Sequence, residues 1–119
     1  MAIVFGAALD EVSGVAVSPT TIFRAGDPFA YSARLPAAAG TSSMLLEVVR
    51  LEADGQTTAQ APREVGIDAT SRVIAFSVFA SDLLAAWGPG NYEMRMYFEP
   101  GTDPAALGRF TLAEAPASG

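Results

Sequence analysis

Residues 91–98 read Asn91-Tyr92-Glu93-Met94-Arg95-Met96-Tyr97-Phe98. Tyr92, Met94, Met96 and Phe98 fall on one parity, and Glu93, Arg95 and Tyr97 take the positions between them. A period of two belongs to a β-strand, whose successive side chains point to opposite faces of a sheet. One row is therefore predicted to line a core and the other to meet solvent, the pattern of an antiparallel sheet with one wet face.

Working outward, the segments on either side repeat this signature. Ile3–Leu9 alternates through Ile3, Phe5, Ala7 and Leu9, and a weaker edge segment follows at Gly14–Ser18. Phe29–Leu35 places Phe29, Tyr31, Ala33 and Leu35 on one face, with Ser32 and Arg34 on the other. Ser43–Glu52 is apolar at nearly every position, as expected of a central strand with both faces partly covered. Asp54-Gly55 is a turn signal, and Pro62 marks the polar stretch Thr57–Ile67 as an edge. Arg72–Phe79 turns Ile74, Phe76 and Val78 inward, and Leu107–Leu112 does the same with Phe110 and Leu112. Ser81–Trp87 is the one helical-looking piece, with Ser81 read as its N-cap, Asp82 in its first turn and Gly88-Pro89-Gly90 as its stop. Short strands at this spacing predict an all-β antiparallel sandwich of about seven strands with one short helical turn. Residues 1–114 form the single domain, and 115–119 read as the start of a linker.

The stretch from Leu84 through Trp87-Gly88-Pro89-Gly90-Asn91-Tyr92 to Met96 resembles the crossing between strands E and F of fibronectin type III domains. Together with Gly108-Arg109-Phe110-Thr111-Leu112 it is also similar to bacterial immunoglobulin-like domains. The resemblance implies an immunoglobulin-like, fibronectin-III-like sandwich and assigns structural roles to Tyr92 and Trp87. A tyrosine opening strand F buries its ring and sends its hydroxyl back to an upstream backbone group. Met94 stands where antibody-type domains carry their second Cys. The tryptophan usual in strand B or C is missing, and residues 1–24 are longer than the usual first strand.

Composition narrows the chemistry. The chain has 119 residues, with 7 basic against 13 acidic and a net charge of -6. All seven cations are Arg, and the abundance of Ala hints at GC-rich coding and a bacterial source. An acidic chain without a basic patch is a poor partner for nucleic acid. Its apolar runs reach about ten residues, short of the ~20 that a spanning helix needs, so no membrane insertion is expected. The chain contains no His, Cys or Lys. That removes imidazole bases, thiolate nucleophiles, Schiff-base lysines and the usual zinc ligands. No catalytic residue, metal or cofactor is therefore expected, and the protein reads as no enzyme. Glu47 in its apolar strand is expected to pair with an Arg across the sheet. Asp10, Glu11, Asp27, Asp68 and Asp103 are possible calcium ligands without a calcium-loop spacing, and they read more simply as turn residues. Trp87 reads as a corner plug or as a stacking platform.

The candidate surface follows from parity. Tyr92, Met94 and Met96 inward put Arg95 and Tyr97 outward, and Met44, Leu46 and Val48 inward put Leu45, Glu47, Val49 and Leu51 outward. Arg109 and Thr111 complete this face. Two readings of it stand: an interaction surface with an apolar Leu45–Val49–Leu51 row that water covers poorly, or an ordinary face laced by Glu–Arg pairs. The reading favours a protein-interaction or spacer module of a larger, bacterial, surface or secreted protein. The alternatives are a small intracellular protein that pairs with itself or a partner and, more weakly, a carbohydrate-binding accessory domain.

Overall fold

The structure, a computed structural model, describes residues 2–99 and 103–113. The expected linker at 115–119 and the domain limit at 114 lie outside the described residues. Two sheets face each other across a core. The first has the order β2-β1-β4-β7, built from β1 (Ile3–Leu9), β2 (Ala16–Pro19), β4 (Pro28–Arg34) and β7 (Val73–Phe79). The second has the order β3-β9-β8-β5-β6, built from β3 (Ile22–Arg24), β5 (Ser43–Glu52), β6 (Gly55–Gly66), β8 (Gly90–Tyr97) and β9 (Ala106–Ala113). The helix α1 (Ala80–Trp87) joins β7 to β8.

The strand at 3–9 falls where alternation places it and the strand at 43–52 where the apolar run does, but the count differs. Nine strands occur among the described residues rather than about seven. The weak segment near 14–18 is a full edge strand, and β3 is an addition. At three residues β3 is too short for any periodicity to show. It exists because Phe23, 1% exposed, plugs the core while Ile22 to Arg24 run parallel to Thr111 to Ala113 of β9. The sandwich is thus not antiparallel throughout.

The helix also starts differently from the expectation. Its N-cap is Phe79, extended and without a side-chain capping bond, so Ser81 lies inside the first turn and caps nothing. The cause is β7, which pairs with β4 as far as Phe79↔Pro28 and leaves no room for a loop. Asp82 does sit in the first turn. At the other end Gly88 adopts φ 81°, and its N–H bonds to the Leu84 carbonyl, a conformation a side chain would strain.

The core is aromatic at its centre. Phe23 and Phe29 lie 4.4 Å apart between ring centroids, Phe29 and Phe110 5.0 Å, Phe5 and Phe110 5.2 Å, and Tyr92 and Phe110 5.5 Å. These rings come from β1, β3, β4, β8 and β9, so one cluster ties both sheets together. Along the free edge of the second sheet, β6 accommodates two extra residues opposite β5, and Pro62 sits in the first irregularity.

The long N-terminal region packs against the first sheet and the edge of the second. The β1–β2 hairpin folds back so that Val17 lies over Gly6, and the Ala16 N–H bonds to Ser32 Oγ at 2.8 Å. This buries Ser32, on the outward parity of β4, to 2% exposure.

Candidate functional site

The outer face of the second sheet assembles as parity requires. Strands β5 and β8 pair without a break from Leu45↔Tyr97 through Glu47↔Arg95 and Val49↔Glu93 to Leu51↔Asn91, and β9 adds Arg109 opposite Glu93. Residues directly opposite share a face. Leu45, Glu47, Val49, Leu51, Arg95, Tyr97 and Arg109 therefore come together on one surface.

The apolar row, however, is not bare. Val49 is 3% exposed although it lies outside the interior cluster, and Leu45 and Leu51 are half-buried. Polar side chains linked across the strands share the face with this row. Arg95 anchors this layer: Nε lies 2.6 Å from Glu93 Oε2, Nη1 3.4 Å from Glu47 Oε1, and Nη2 donates to Gln56 Oε1 at 3.1 Å. Tyr97 donates its hydroxyl to Glu47 Oε1 at 2.9 Å, and Arg109 Nε reaches Glu93 Oε1 at 3.2 Å. Glu47 is thus paired with an Arg across the sheet.

Glu93 is the buried charge of this network, 7% exposed. Its burial alone pushes its pKa up, but the hydrogen bonds and charges of Arg95 and Arg109 more than reverse this and leave the carboxyl below its ordinary value. Burial first, and then the Glu47 carboxylate, push the Tyr97 phenol up, so it stays a donor at neutral pH.

At the corner, Tyr92 is fully buried, and its hydroxyl lies 2.6 Å from the Gly88 carbonyl and 2.9 Å from that of Trp87. The Arg50 Nη1 donates to the same hydroxyl at 3.2 Å, a contact the sequence did not reveal. Trp87 is half-buried with its ring 5.7 Å from that of Tyr92, so it plugs the corner without being enclosed. Three of the acids read as turn residues act as such. Asp10 accepts from the backbone of Val12 and Ser13, Asp68 from that of Thr70, and Asp27 from that of Arg24.

Sequence reasoning missed a second feature. Between the two sheets, at the side where β6 and β7 are free edges, an apolar cleft of about 310 Å³ opens. Phe29, Tyr31, Phe76 and Val78 form one wall, Leu46, Val48, Val65 and Met94 the other. Leu83 and Trp87 lie at its helical end, and Gln60 and Arg63 complete the lining. Its one legible signal was the Arg in a Thr57–Ile67 segment already read as an edge.

No protein-family model matches the chain, and comparison with curated proteins finds no relative. The fold itself defines a two-sheet, all-β sandwich. Among the described residues no helix is long and apolar enough to cross a membrane.

Proposed function

We propose that this domain is a non-catalytic interaction module of the immunoglobulin-like, fibronectin-III-like type, and that the outer face of β9, β8 and β5 is its contact surface. The Tyr92 hydroxyl turned back on the helix-to-strand corner supports the type. The observation that carries the function is the fixation of Arg95 by Glu47, Glu93 and Gln56 beside Tyr97. Arg and Tyr dominate the energetics of protein contacts. Side chains already held in place lose little freedom on binding, which is where affinity is usually forfeited. Arg109, its side chain 71% exposed, pairs with Glu93 through Nε and presents the rest of its guanidinium at the margin of this surface.

Peptides selected from a displayed library on the folded domain test this reading. Binders are expected to lose capture by the Tyr97→Glu, Arg109→Glu double variant, which should melt lower because its new carboxylates face Glu47 and Glu93 but remain folded by circular dichroism at the temperature of the assay. Binders indifferent to both substitutions would place the contact surface elsewhere.

A further inference from the structure

The inter-sheet cleft carries an arrangement that packing alone does not call for. Tyr31 is 6% exposed, yet its hydroxyl has no hydrogen-bond partner among the described residues. Every fully enclosed side-chain N or O atom there does have a partner, so this hydroxyl is open to the cleft. A hydroxyl open to an apolar cleft without a protein partner is met by water, and a ligand acceptor takes the place of that water. Arg63 comes from the opposite wall. It pairs with Leu46, a core residue, so its side chain leaves β6 on the inner side of the sheet. It forms no ion pair among the described residues. Its charge reaches the Tyr31 phenol, which burial pushes up to about 12 and the guanidinium pulls back down. A phenol that stays protonated donates, as does a guanidinium, so the cleft is lined by two donors from different sheets, with the exposed Arg63 at its edge.

We propose that this cleft binds an amphipathic carboxylate. Its apolar body lies against Phe76, Val78, Leu83 and Trp87, and its carboxylate receives hydrogen bonds from Arg63 and Tyr31. A few placed polar groups in an otherwise apolar cavity are the usual makings of a small-molecule site, and about 310 Å³ lies at the small end of that range, matching one medium-length chain. A cation on the inner side of an edge strand also discourages pairing with other chains, but that role needs no facing phenol. The cleft is distinct from the outer face of the second sheet, so each site can fail without the other.

Trp87 is the only tryptophan in the sequence and lines the cleft, so its emission reports occupancy. Decanoate, titrated below its micellar concentration, should change that emission saturably with one molecule bound per chain. Loss of the charged hydrogen bond in Arg63→Gln should weaken decanoate about tenfold while leaving decanol unchanged, and Tyr31→Phe should weaken decanoate a few-fold. Circular dichroism melts run alongside identify any variant that has lost its fold, and Arg63→Lys, which keeps the charge, should retain most of the affinity. The proposal is overturned if decanoate gives no saturable change, or if folded Arg63→Gln binds it as tightly as the parent chain.

Discussion

Tyr92 joins three separate requirements in one side chain. Its ring fills the core against Phe110, its hydroxyl satisfies the carbonyls at the end of α1, and it accepts from Arg50 across the sheet. Tyr92→Phe keeps the first role and loses the other two. The expected cost is about 1–2 kcal/mol, the range of one or two net hydrogen bonds, read as a shift of the denaturation midpoint. An unchanged midpoint would mean that water replaces the hydroxyl without loss. The neighbouring Trp87, half-buried, carries less than a fully enclosed aromatic would. Val49 teaches the complementary lesson: it faces away from the interior yet is 3% exposed, because burial on a sheet face depends on the length of the neighbours as much as on parity.

Close approach of backbone to backbone governs the elements. The hairpin of β1 and β2 closes over Gly6, where an added Cβ would stand 2.2 Å from the Val17 carbonyl oxygen. Backbone cannot swing aside as a flexible side chain can. Gly6→Ala is therefore expected to lift β2 off the first sheet at a cost of about 1–3 kcal/mol, as overpacking does. Hydrogen exchange locates the effect: the amides of Ala16 to Ser18 should lose protection first, and the Ala16 N–H should lose its bond to Ser32. Protection of β2 equal to that of the parent chain would refute the expected displacement. The same hairpin settles where the long N-terminal region goes. It lies on the first sheet and, through β3, along the edge of the second, leaving the Arg95–Tyr97 face uncovered.

For the molecule as a whole, the acid limb of stability is set by carboxyls held below their ordinary pKa. Glu93 is one, opposed by burial but won over by two arginines; Asp10 and Asp68 are others, lowered first by turn hydrogen bonds. A group of this kind binds protons more weakly when folded than when unfolded. Its contribution is complete above the unfolded value, 4.5 for Glu93, and is lost as pH falls through the lower folded value. The melting temperature should hold from neutrality down to about that pH and then decline, and Glu93→Gln should flatten the decline while lowering the plateau. An acid limb of the same slope in the variant would assign the loss to other carboxyls.

Strand parity was legible because it is local: a period of two needs only a few consecutive residues. Alternation determined the inward rows of β1, β4 and β8 and the outward placement of Arg95 and Tyr97, Glu47 marked the outer row of the doubly apolar β5, and the Tyr92 corner followed from the resemblance of the 84–96 stretch to a known crossing. It had nothing to say about β3, whose three residues carry no period, or about Ser81, which misses the cap because β7 extends to Phe79. The cleft between Tyr31 and Arg63 was equally out of reach. Those residues lie 32 positions apart on different sheets, and their meeting depends on how the sheets stack and on the bulges that set the register of β6. The burial of Val49, too, depends on strands brought beside it, with Thr58 of β6 and Glu93 of β8 opposite it. A sequence states which face each side chain takes, because that is fixed by the geometry of one strand. Which side chains meet is a property of packing among strands, and only the tertiary structure decides it.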